Sequence, residues 1–188
     1  MHFTLADLVT DITQNGVESG ADLVELELCE YGSADKKELR FTVKDNGKGM
    51  TSEELKRAQD PFFTDGIKHP GRKIGLGLPF LIQTAETSGG GWEMDSEKGK
   101  GTRVCAWFDL NNVDTPQTGD IPGLFRTVLL FDKAAEMVIR RLRDMPEGRF
   151  EYEIRKTELA DALGELETTQ SLILLDQYLR SLEGEDHG

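Results

Sequence analysis

Residues 39–45 alternate Leu39, Phe41 and Val43 with Arg40, Thr42 and Lys44, the two-residue period of a strand with one buried face, and the same parity turns Asp45 inward. An inward carboxylate at the end of an apolar strand face must find hydrogen-bond donors or take up a proton. The chain continues Asn46-Gly47-Lys48-Gly49-Met50, and glycines at this spacing allow the backbone to approach a flat ligand closely or to adopt a positive φ. A plain Asp-Gly strand end with a capping aspartate gives the same string.

The surroundings frame that acid. Leu5, Leu8, Val9 and Ile12 form one stripe of a helix expected over residues 4–17. Residues 23–31 alternate Leu26 and Leu28 with Glu25 and Glu27, a second half-buried strand, and residues 32–37 should turn. Thr51, followed by Ser52, Glu53 and Glu54, starts a short helix running to Ala58. A further helix after Gly77, with Pro79 in its first turn and Leu78, Leu81, Ile82 and Ala85 on its apolar face, should stop at Gly89. Residues 92–96 and 102–110 read as a hairpin closed around Lys98-Gly99-Lys100-Gly101. This order predicts an α+β fold with helices gathered on one face of a mainly antiparallel sheet.

Charge weighs against one class of work, although a local basic patch stays compatible with it. The 188 residues carry 22 basic and 35 acidic side chains, a formal net charge of −13, the wrong sign for gripping a nucleic-acid backbone. No apolar run approaches the ~18 residues that span a bilayer, and the first residues lack a signal-peptide pattern, so a cytoplasmic location without membrane partners is expected. Cys29 and Cys105 each fall within an expected strand and read as ordinary sheet residues.

Two more features could carry chemistry. Gly75-Leu76-Gly77 before a helix offers free N–H groups and a positive dipole end to a phosphate, although many such turns are merely tight connections. Asp11 and Asn15, four apart along the edge of the first helix's apolar stripe, could hold a magnesium ion and orient a nucleophile; a solvated helix face accounts for them as well.

Taken in order, Asp11 to Ala21, Asp45 to Met50, Asp60-Pro61-Phe62-Phe63-Thr64, Gly75 to Leu78 and Gly99 to Thr102 resemble the N, F and glycine boxes of the GHKL ATPases, which include gyrase, heat-shock chaperones, histidine kinases and mismatch-repair ATPases. The resemblance implies a two-layer α/β sandwich, the Bergerat ATP-binding fold, over residues 1–112; residues 121–188, which match no family, are expected to form a small α/β extension. It implies ATP and Mg2+ as ligands. Asp45 would accept from the adenine amino group, with Gly47, Gly49 and Met50 shaping the base pocket and Thr102 near the adenine. Asn15 would bind magnesium and Asp11 would be the catalytic group. Backbone around Gly75, Leu76, Gly77 and Leu78 would meet phosphates, Phe62 would pack at a lid hinge, and Lys73, with Lys68 and Arg72, would stand near the γ-phosphate.

The chain departs from the family at Asp11, where gyrase-type relatives carry glutamate and histidine kinases often carry asparagine. His2, His69 and His187 do not resemble a phosphoacceptor, and no dimerising hairpin precedes the first box, so phosphotransfer to a separate protein partner is expected, as in the anti-sigma-factor kinases.

Beyond a boundary placed between Asn111 and Pro122, residues 124–131 read as a strand, 132–143 as a helix capped by Asp132, and 150–154 as a strand, followed by a helix from Thr157. Leu172, Leu175, Leu179 and Leu182 give a last helix, ended by Gly184, whose stripe suits a partner helix, a homodimer seam or packing on its own domain. Two functions compete: an ATP-binding regulator acting as a protein kinase or slow ATPase in signalling, and a nucleotide sensor without turnover. A DNA-linked ATPase is disfavoured by charge.

Overall fold

The computed structural model describes residues 3–60 and 77–184. The elements run α1 (Leu5–Glu18), β1 (Leu23–Gly32), β2 (Lys37–Asp45), α2 (Ser52–Gln59), α3 (Gly77–Thr87), β3 (Gly91–Glu97), β4 (Gly101–Asp109), α4 (Ile121–Leu129), β5 (Glu136–Met145), β6 (Gly148–Arg155), α5 (Lys156–Leu163) and α6 (Thr169–Leu182). Six strands form one sheet in the order β3-β4-β2-β1-β5-β6, in which only the β1–β5 pair is parallel.

Helix α1 begins where the sequence says it should. Thr4 and Asp7 form a capping box, with Thr4 N–H donating to Asp7 Oδ2 at 2.9 Å and Asp7 N–H to Thr4 Oγ1 at 3.2 Å. Its stripe of Leu5, Leu8, Val9 and Ile12 is buried, together with Leu26 and Leu28 of β1 and Leu39, Phe41 and Val43 of β2. Each such side chain contributes roughly 1.5–3 kcal/mol of burial. One apolar cluster joins these residues to Leu81 of α3, Phe125 and Val128 of α4, Ile139 of β5 and Leu175 and Leu179 of α6. The helices therefore cover one sheet face, while the other exposes Glu27, Arg40, Lys44, Glu93 and Asp95. This is the α+β sandwich expected.

The C-terminal assignments need correction. Residues 124–131 are not a strand: they lie mostly in α4, whose start is capped by Asp120 accepting from Gly123 N–H at 3.1 Å. Ile121, Leu124, Phe125 and Val128 recur at helical spacing, a pattern that shows only when the segment is read from Ile121 rather than from Leu124. Nor do residues 132–143 form a helix; β5 occupies most of them, pairing with β1 and β6. The arginine-rich string disguised its alternation, in which Met137, Ile139 and Arg141 point to the helix layer. Strand β6, the helix after Arg155 and α6 fall as expected, with Gly184 at φ 76° just past α6. In the leucine stripe of α6, Leu175 and Leu179 are spent inside the chain; the large apolar side chains this helix exposes are Ile173, Leu174 and Tyr178.

The segment before α4 is tied back to the first helix, Leu5 N–H donating to Gln117 O and Ala6 N–H to Thr118 O, both at 2.9 Å. Cys29 and Cys105 are free, buried strand residues. Among the described residues, no helix is long and apolar enough to cross a membrane.

Candidate nucleotide site

Asp11 and Asn15 of helix α1 and Ser19, the residue that caps its end, follow at successive four-residue steps, hence along one line of the helix surface. Asp11 and Asn15 are exposed on that line, whereas the neighbouring Gly16 is buried. A Cβ on Gly16 would lie 3.5 Å from Asp45 Cβ and 3.5 Å from Val24 Cγ1. The turn that holds Asn15 therefore rests directly on the sheet end that holds Asp45.

Asp45 closes β2 with 7% exposure, opposite Val24 on one side and Thr102 on the other. Its Oδ1 accepts from Gly47 N–H at 2.8 Å and lies 2.9 Å from Ser19 Oγ. Both bonds land on the same oxygen, and among the described residues Oδ2 accepts none. The capping-aspartate reading thus holds for one oxygen and leaves the other without a hydrogen-bond donor among the described residues.

The loop after β2 is stitched on both flanks. Lys48 N–H donates to Ser19 O at 3.2 Å, and Gly99 N–H donates to Lys48 O at 2.7 Å. Asn46 Oδ1 accepts from the N–H groups of Asp22 and Leu23, each at 3.0 Å. Met50 N–H donates to Ser96 Oγ at 2.9 Å, and Ser96 Oγ is 2.9 Å from Thr102 Oγ1. Gly49 is required here on two counts: its φ is +58°, and a Cβ would sit 1.9 Å from Glu97 O.

At the other end of the line, Gly77 opens α3. A Cβ on it would lie 3.6 Å from Asp11 Cβ and 3.8 Å from Asn15 Nδ2. The positive dipole end of α3 thus stands beside Asp11 and Asn15, an arrangement that favours an anion. Leu78, the next residue, is buried in the core and anchors that helix end. Partial burial, then the charge of Asp7 one turn earlier, push the Asp11 carboxyl above its ordinary range.

The structure therefore gathers Asp45, Gly47, Gly49, Met50 and Thr102 at the sheet end and Asp11, Asn15 and Gly77 along the adjoining helices. Phe62, Lys73, Gly75 and Leu76, with Lys68 and Arg72, lie outside the described residues. Sequence reasoning missed Ser19, Asn46 and Ser96. Ser19 was findable, since it continues the Asp11, Asn15 spacing by one more turn; the hairpin read over residues 92–110 sets Ser96 opposite Thr102, but its bond to Met50 N–H joins segments that no local window contains.

Comparison with known proteins agrees with this geometry. Residues 3–112 match the family described as histidine kinase-, DNA gyrase B-, and HSP90-like ATPase. The chain is 37% identical over 82 residues to the sensor kinase CckA of Brucella abortus (strain 2308), an alignment covering 44% of this chain and 8% of that protein. It is 34% identical over 73 residues to the sensor histidine kinase ZraS of Escherichia coli O157:H7, covering 39% of this chain and 15% of that protein. The matched region is thus a small part of each of those relatives. With a family match over more than half of its length, the chain belongs to the histidine kinase-, DNA gyrase B- and HSP90-like ATPases.

Proposed function

We propose that the chain binds Mg-ATP at this site and acts in cytoplasmic signalling as a protein kinase or slow ATPase, with a protein partner as phosphoacceptor or regulated factor. The observation that carries the reading is the buried Asp45, one oxygen bonded and the other open, at a sheet end against the Asn15 turn. The exocyclic amino group of adenine donates to Asp45 Oδ2, Gly49 keeps the floor of the base pocket thin, and Thr102 faces the base from β4. The triphosphate extends along α1 toward the start of α3.

Among the described residues no group of three or more His, Cys, Asp or Glu could hold a metal by itself. Magnesium takes one or two protein oxygens and completes its shell with phosphate and water. Asn15 Oδ1 would be its protein ligand, and the ion would neutralise phosphate charge during transfer. Asp11, one turn away, orients an incoming water or hydroxyl and takes its proton as the new P–O bond forms and the bond to ADP breaks. Its raised carboxyl basicity suits that role. The kinase names of the relatives, CckA and ZraS, favour a protein over water as acceptor.

The test is ATP binding by the parent and by Asp45→Asn, with and without magnesium, followed by labelled-phosphate transfer. An amide presents a donor where the carboxylate accepted, so affinity for ATP should fall about 10–100-fold. Unchanged affinity would refute the site. Binding without phosphate release or transfer, under any magnesium condition, would leave a nucleotide sensor instead of an enzyme.

A further inference from the structure

Ser19 stands outside the residues assigned so far, yet its hydroxyl is the one side-chain group that touches the Asp45 carboxylate among the described residues. Two acceptors lie within its reach, Gly16 O at 2.7 Å and Asp45 Oδ1 at 2.9 Å. A hydroxyl has a single proton to give. Gly16 O is a helix-end carbonyl that already accepts from Ser19 N–H at 3.3 Å, whereas the carboxylate is the stronger, charged acceptor. The proton therefore belongs to Asp45.

With Ser19 and Gly47 N–H both on Oδ1, the plane of the carboxylate is fixed and Oδ2 becomes the only oxygen turned outward. Ser19 is itself held: it caps the end of α1, and its carbonyl accepts from Lys48 N–H at 3.2 Å. Gly47 leaves room for the hydroxyl, since a Cβ at that residue would fall 1.8 Å from Ser19 Oγ. Helix end, strand end and glycine loop are thus joined through one hydroxyl.

We propose that Ser19 is a positioning residue that makes Asp45 selective for a 6-amino purine over a 6-keto purine. This rests on the ATP-site reading above. A fixed Oδ2 meets the amino group of adenine as donor to acceptor, but meets the keto oxygen of hypoxanthine as acceptor to acceptor, leaving both unpaired. Without Ser19, one of the two restraints on the carboxylate is gone. The group then turns about its terminal torsion, so that adenine loses alignment while the keto base is opposed less squarely.

The experiment compares ATP and inosine triphosphate binding, at fixed magnesium, in the parent and in Ser19→Ala, Ser19→Thr and Asp45→Asn. Ser19→Ala should weaken ATP binding about tenfold while leaving inosine triphosphate nearly unchanged, so the ratio of the two affinities narrows by that factor. Ser19→Thr, which keeps the hydroxyl, should retain most of the parent ratio. A merely structural role for Ser19 would weaken both nucleotides equally, and that outcome overturns the proposal. If Asp45→Asn narrows the ratio and Ser19→Ala does not, Ser19 alone is misassigned. If neither variant moves it, the adenine role of Asp45 fails first.

Discussion

Gly77 faces Asn15 across the junction of α3 and α1, with the direction of its missing side chain 3.8 Å from the Asn15 amide nitrogen. The contact brings the positive end of one helix to the polar edge of another, and it does so because Leu78 is buried in the core immediately behind. Asn15 is exposed, so its amide is available to a ligand rather than consumed by packing. Asn15→Ala should therefore fold normally and lose the magnesium-dependent part of ATP affinity, about 10–100-fold. Metal-free ATP binding should change little. Calorimetric titration with and without magnesium checks this, and an equal loss in both conditions would place Asn15 on the nucleotide instead of the ion.

Asp11 gives a prediction with a defined sign. Its folded carboxyl is raised by partial burial and by Asp7, so the fold favours the protonated form. That contribution is complete below the ordinary carboxylate range and is lost as pH rises through the raised value, leaving ionised Asp11 a net cost at neutral pH. Asp7 cannot move aside, because the capping box with Thr4 holds it. Asp11→Asn should stabilise the nucleotide-free protein at neutral pH by about 0.2–0.5 kcal/mol, the size of one like-charge pair a turn apart. The gain should shrink as the medium is acidified past the ordinary carboxylate range, while phosphate transfer is lost at every pH. Thermal melts across pH read the first effect; destabilisation at neutral pH would contradict it.

What the sequence makes legible follows from how local each signal is. The inward turn of Asp45 needed only the alternation of its own strand, and α1 needed only its stripe and Thr4. Gly49 could be singled out, but its reason could not: the clash partner, Glu97 O, lies on a hairpin nearly fifty residues away. The bond from Met50 N–H to Ser96 Oγ likewise joins segments far apart in the chain. The region after residue 120 failed for a different cause. A short segment such as Leu124 to Leu130, two apolar clusters parted by Arg126 and Thr127, fits helix or strand when read alone, and β5 hides its period because a buried arginine occupies a core-facing place. Only the carboxylates of other elements make that arginine tolerable, and no local window contains them.

Arg141 is that residue, and it yields the largest expected stability change. Its side chain is 1% exposed on β5, bonded to Glu30 Oε2 of β1 at 2.5 Å and to Glu183 Oε1 beyond the end of α6 at 3.0 Å. Tyr152 of β6 also donates to Glu183, and burial, with that bond, pushes its phenol above the ordinary range, so it remains a donor. The cluster fastens the last helix to two strands through buried charges. Truncating the central cation leaves Glu183 with the neutral Tyr152 hydroxyl and Glu30 with Arg143 at 3.5 Å, and no charge between them in a poorly solvated place, so Arg141→Ala should cost about 3–5 kcal/mol. Adding Glu183→Gln should recover part of that loss, because one of the stranded charges is then gone. Denaturant titrations of the single and double variants measure both steps. A loss under about 1 kcal/mol for Arg141→Ala would be that of an exposed pair, and would mean that water enters the cluster and screens it.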